Sequence, residues 1–166
     1  MKKRSKRKNI FILVVLILGI IQFIPVDRTS KAVDASKDFI ALHKPPAGVE
    51  KMLRMACYDC HSNETRYPWY AHVAPISFWL QNHIKGGRHH LNFSEWGDYS
   101  AKKANHKLEE CYEMVADSEM PMSTYVWMHG EAALSDEQIK TLNSYFISLR
   151  GPEMTPEGDL SDHGLD

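Results

Sequence analysis

Cys57, Cys60 and His61 stand close enough in sequence to share one piece of chemistry, in the arrangement C-x-x-C-H. Cysteines three apart on a helical turn point to the same side. Their thiols can add to the two vinyl groups of one porphyrin as thioethers, and the imidazole that follows can ligate iron from the proximal face. The spacing therefore predicts one covalently attached haem c, with Cys57 and Cys60 as attachment sites and His61 as an iron ligand. Other uses of C-x-x-C fit less well. A thioredoxin-like redox pair wants a βαβ setting, and no run here alternates apolar and polar residues long enough to require a strand. A structural zinc wants a second ligand pair at similar spacing, and Cys111 stands alone. Three cysteines make no disulfide framework.

A sixth ligand is expected from the loop 118–122. The thioether of Met120 is a soft donor that favours reduced iron and raises its potential, and Pro121 stiffens the loop behind it. Met122, His83, His89, His90, His106, Met128 and His129 are the competing side chains, and an open position is the remaining alternative. Met120 and Met122 could also simply fill core space. His83 falls on the apolar face of its helix, the usual place for a satisfied core histidine, and His89-His90 reads as a solvated helix end or a propionate neighbour. Cys111 reads as a buried, inert thiol. Trp69, Trp79, Trp96 and Trp127 fit a haem pocket or ordinary core equally well. Arg66 and Arg88 are candidate partners for propionates. The carbonyl of Pro68 or Pro75 is a candidate acceptor for the far nitrogen of His61, a bond that would fix the imidazole tautomer.

The elements that must position these residues are helical. A first helix is predicted from near Pro46 to about Asp59, with Val49, Met52, Leu53 and Ala56 on one face. A second is predicted over about 75–85, with Ile76, Trp79, Leu80, His83 and Ile84 together and Gly86-Gly87 as its stop. A third runs from Ser100 to about Ala116 on a stripe of Ala104, Leu108, Cys111, Tyr112 and Val115. The last opens on a capping box of Ser135 and Gln138, carries Ile139, Leu142, Phe146 and Leu149, and ends at Gly151-Pro152. The fold expected over 47–150 is an all-α, cytochrome c-like helical domain wrapped around the haem.

Charge organises the rest. Residues 1–9 hold six basic groups and no acid, while the remainder has 14 basic and 21 acidic residues, a balance of −7. Five of those acids fall in 151–166, read as a flexible acidic tail, and the folded part is close to neutral. Nothing in this pattern suggests a nucleic-acid partner. Residues 10–24 are apolar except Gln22, and Pro25 closes the run. A basic segment (1–9) before an apolar one (10–26) reads as a signal anchor, or as a signal peptide cleaved near Val33-Asp34-Ala35. A buried core helix fits the flanking charges poorly. Residues 27–46 read as a linker. Either export reading places the domain on the periplasmic side of a bacterial inner membrane, held by an N-terminal membrane anchor helix, or free in the periplasm after cleavage. Asn63-Glu64-Thr65 and Asn92-Phe93-Ser94 match the N-glycosylation pattern, a weak signal in a chain that otherwise looks bacterial.

The run from Cys57 to Thr65, followed by Tyr67-Pro68-Trp69-Tyr70, resembles the bacterial haem-binding domain family. Ala74-Pro75, Leu91-Asn92-Phe93-Ser94-Glu95-Trp96 and Met120-Pro121 extend the resemblance across about 37–150. It implies a periplasmic, membrane-tethered haem protein with Cys57 and Cys60 as attachment sites and His61 as proximal ligand. The closing section is also similar to a class I cytochrome c, where a loop Met ligates iron before a final amphipathic helix. Met120 and the helix start at Leu134-Ser135 occupy those places, whereas the long aromatic-rich segment 66–99 departs from that pattern.

The expected function is electron transfer rather than enzymatic turnover. An iron held on both axes can change oxidation state with little rearrangement, and redox partner proteins in the periplasm or inner membrane would dock at the haem edge. The alternatives are an open-site haem protein (a small-ligand sensor or peroxidase-like enzyme) and an interaction module stapled by its haem.

Overall fold

A computed structural model describes residues 2–151, so the acidic tail beyond Gly151 lies outside the described residues. The described chain is helical: α1 (Lys2–Ile21), α2 (Phe39–His43), α3 (Ala47–Ala56), α4 (Tyr58–His61), α5 (Ile76–His90), α6 (Ala101–Ala116), α7 (Ser123–Met128) and α8 (Asp136–Leu149). Short 3₁₀ turns at Trp69–His72, Phe93–Asp98 and Gly130–Ala132 complete it. The all-α expectation holds.

The chain divides into two compact units. One is drawn from residues up to Lys44 together with Cys57–Gly97, the other from Pro45–Ala56 together with the residues from Asp98 onward.

In the first unit, an aromatic core gathers around Phe39. Its ring meets Trp96 edge-on at 4.7 Å and Phe93 at 5.1 Å, and Tyr58 stacks on Phe93 at 5.3 Å. Such offset and edge contacts add to simple area burial. Asp38 ties this core down. Its Oδ1 accepts from the Ile40 and Ala41 amides, capping α2, and its carboxylate accepts from the buried Tyr58 hydroxyl at 3.2 Å. The segment expected as a linker thus carries α2, with Phe39 and Ile40 buried. A second apolar cluster joins Tyr70, Ala71, Leu80 and Ile84, with Cys60 and Tyr67 packed against it.

The first predicted helix is broken in two. Cys57 leaves helical geometry (φ −122°, ψ −45°), and α4 restarts at Tyr58. The break turns Tyr58 into the aromatic core and sets Cys60 and His61 on a turn of their own. The second predicted helix runs past Gly86-Gly87 to His90. Neither glycine needs a positive φ, so the pair does not act as a C-cap.

In the second unit, α6 packs along α8, and α3 lies against α8 and the 130–132 turn. Leu53, Leu108, Val115, Ala132, Leu142 and Phe146 are buried. The predicted caps are present. Ser100 accepts from the Lys103 amide, and Ser135 and Gln138 form the reciprocal capping box. Arg150 pairs with Glu109 at 3.0 Å, joining the end of α8 to α6.

The expected N-terminal anchor helix is a helix but not one that spans. α1 gives its first turns to the basic segment, and among the described residues no helix is long and apolar enough to cross a membrane.

Candidate functional site

Cys57, Cys60 and His61 lie in the first unit, at the start and along the turn of α4. Both cysteines are half-buried and free of disulfide. Burial, helped by its neighbour Cys60, pushes the Cys57 thiol up to about 12. Burial, followed by the charge of Asp59, pushes Cys60 up to about 11. Both sulfurs therefore carry their protons at neutral pH, and Cys60 packs against the apolar cluster.

His61 is held from behind. Its Nδ1 lies 3.0 Å from the Gly87 carbonyl oxygen and 3.2 Å from that of Leu91. Carbonyls only accept, so Nδ1 must be the donor. Burial holds the imidazole below its ordinary pKa, against the opposing pull of these two bonds. In the neutral ring the proton is then on Nδ1 and the lone pair on Nε2, the form a metal needs. The acceptors come from the end of α5 and the residue after it, not from the candidates Pro68 or Pro75. The reason is the continuation of α5 through Gly87. A Cβ there would sit 2.9 Å from the Cys60 carbonyl oxygen and 3.4 Å from His61 Cε1. Only glycine lets α5 come this close.

The loop after His61 is fixed by polar bonds. Ser62, fully buried, donates to the Tyr58 carbonyl at 2.7 Å and accepts from the Glu64 amide. Thr65 donates to the Asp59 carbonyl, and the Asp59 carboxylate accepts from the Arg66 amide and guanidinium. Arg88 donates through Nε to the Ser62 carbonyl at 2.8 Å and through Nη2 to Thr65 and Ser30. Arg66 and Arg88, the candidate partners for propionates, both hold the loop. Asn63, Asn92 and Ser94 form a buried network: Ser94 Oγ accepts from the Asn63 amide, Asn92 donates to Asn63 Oδ1, and the Ser94 amide donates to Asn92 Oδ1. The two N-glycosylation matches therefore fall on asparagines that are buried and committed.

Met120 belongs to the second unit and is half-buried. Ser118, at φ 57°, turns the chain after α6, and the Glu119 and Met120 amides both donate to the Met114 carbonyl. The Met120-Pro121 peptide is cis. Met122 precedes α7 and accepts from the Tyr125 amide through its carbonyl. Of the competing histidines, His83 bonds the Trp79 carbonyl, His106 faces Glu110, and His129 stacks on Tyr125 and faces Glu131. His89 and His90 are exposed. Trp96 is core, whereas Trp69 and Trp127 are largely exposed. Among the described residues, no three His, Cys, Asp or Glu side chains converge on a metal site.

The chain matches the model of the haem-binding domain family over residues 16–148. It belongs to that family. No curated protein and no solved structure matches it. This haem-binding domain has a donor set suited to its group: two reduced thiols and an imidazole with a fixed tautomer, next to the apolar cluster of Tyr70, Ala71, Leu80 and Ile84. The residues that sequence reasoning missed are Gly87, Leu91 and the Asn63–Asn92–Ser94 network. A signal was present for the first, since a glycine kept inside a helical pattern usually has a packing or functional reason.

Proposed function

We propose that this haem-binding domain is a c-type electron carrier, tethered on the periplasmic side of a bacterial inner membrane. Cys57 and Cys60 would hold one haem through thioethers, His61 Nε2 would ligate its iron, and Met120 would supply the sixth ligand. When bound, haem iron supplies a one-electron couple. The observation that carries the reading is the pairing of His61 Nδ1 with two carbonyls, on the same turn as Cys57 and Cys60. The chain's own part is to keep the imidazole neutral and aimed, to present both cysteines on one turn, and to lock the following loop through Ser62, Arg88 and the asparagine network. A ring so fixed changes little when the iron's charge changes, which suits a carrier.

Intact mass and the pyridine haemochrome spectrum, on protein matured in a host that installs haem c, test the attachment. The expected result is one haem per chain with both vinyls consumed. A mass equal to the bare polypeptide would end the reading. Reversible cycling by a small mediator is then expected, together with slow carbon monoxide binding. Fast, tight carbon monoxide binding would replace the carrier with an open-site protein.

A further inference from the structure

Within the first unit, the end of α1 is fastened to the segment that opens α5. Gln22, the one polar residue of the apolar run, donates through Nε2 to the Ala74 carbonyl at 3.0 Å and accepts through Oε1 from the Ala74 amide at 3.0 Å. Arg28 donates to the Ala71 carbonyl at 3.2 Å, and Gln81 donates to the Asp27 carbonyl. The exit of α1 is therefore placed against residues 71–74 by backbone-directed bonds rather than left on a free tether.

Beside these polar bonds, apolar side chains are exposed. Phe23 and Ile24 are exposed at the helix exit, and Trp69, Val73, Ile76 and Trp79 are exposed beside Ala74. Residues 67–80 contain no Asp, Glu, Lys or Arg. Exposed apolar side chains gathered at one place mark a contact surface. The neighbouring element indicates which kind. α1 exposes Phe11, Leu13, Leu16 and Ile20 along its length, an arrangement suited to an apolar medium. Its apolar part, residues 10–21, is about 18 Å long at the helical rise, well short of the roughly 30 Å hydrocarbon layer. Trp is a residue that favours the headgroup boundary.

We infer that Trp69, Val73, Ile76 and Trp79, continuous with Phe23 and Ile24, form a face that rests in the headgroup layer of a phospholipid bilayer and extends the short apolar reach of α1. The inference rests on the membrane-tethered reading above and adds a defined lipid-facing side to the haem domain. That side would fix which surface of the first unit stays open to redox partners.

The test uses the full haem-loaded chain in phosphatidylethanolamine–phosphatidylglycerol vesicles containing a phospholipid with a photoactivatable diazirine near its glycerol. Labelled positions are mapped by mass spectrometry. The expected result is label on residues 69–79 as well as on α1. Label on α1 alone would overturn the inference and leave the tether standing. No label anywhere would remove the membrane reading itself.

Discussion

The carbonyl oxygen of Gly87 serves two donors at once, the Leu91 amide at 2.8 Å and His61 Nδ1 at 3.0 Å. One atom thus ends α5 and aims the imidazole. Gly87→Ala must move backbone, because its Cβ would meet the Cys60 carbonyl oxygen at 2.9 Å. Overpacking of this kind costs about 1–3 kcal/mol. A Cβ on Gly86 would meet nothing within 4 Å, so Gly86→Ala should gain about 0.5–1 kcal/mol from helix propensity alone. Urea unfolding of the two variants, one residue apart, should therefore shift in opposite directions. Two shifts of the same sign would remove Gly87's special role. The haem-loaded Gly87→Ala protein should also show a raised midpoint potential, since weaker bonds from Nδ1 to the carbonyls make His61 a poorer donor to oxidised iron.

Asn92 holds Asn63 on one side and Ser94 on the other, next to the Leu91 carbonyl that His61 uses. Asn92→Ala leaves a buried carbonyl oxygen and a buried amide without their partners, at a cost of about 1–3 kcal/mol. Thermal or urea unfolding measures it, and a loss under about 0.5 kcal/mol, the scale of surface changes, would show that the network is dispensable. Because Asn92 is buried, no glycan should be found there when the chain is secreted from a eukaryotic host, as mass spectrometry of the peptide would show.

His43 packs its ring against Phe39 at 4.7 Å, and burial holds its pKa below the ordinary 6.5. The unfolded chain then binds this proton at a higher pH than the folded chain does. Stability should be unaffected by His43 above about pH 6.5 and should fall as pH drops below it, until the folded ring also protonates. The comparison is the urea midpoint of wild type and His43→Gln at pH 7.5 and at pH 5. The wild type should lose more between the two than the variant, and equal losses would exclude His43 as the source.

The helices α6 and α8 were legible because propensity, apolar stripe and cap agreed at Ser100 and Ser135, and local signals suffice where they agree. The C-x-x-C-H triad was legible because its chemistry is packed into five consecutive residues. What was hidden depends on tertiary contact. The break at Cys57 follows from Tyr58 reaching Phe93 and Asp38, residues 35 and 20 positions away. Gly86-Gly87 reads as a helix stop, and only the nearness of Cys60 explains why the second position takes glycine. Gln22 looked like a lone interruption in an apolar run, until Ala74, 52 residues on, gave it two bonds. Phe39 sat in a stretch whose composition suggested a tether, and its burial comes from Trp96 and Phe93.

Met120 follows the turn at Ser118, where the amides of Glu119 and Met120 both close on Met114. That turn fixes the loop backbone ahead of the thioether without using its sulfur. Met122 differs, since its backbone already opens α7 by accepting from Tyr125 and Val126. If Met120 is the sixth ligand, Met120→Ala should convert the low-spin spectrum to high-spin, lower the midpoint potential and speed carbon monoxide binding, because a neutral soft donor that favours reduced iron is lost. Met122→Ala should leave all three readouts in place and affect only stability. Paired measurement decides between the two methionines: a high-spin Met122→Ala protein beside an unchanged Met120→Ala protein would move the assignment by two residues, and no change in either would give the position to another side chain or leave it open.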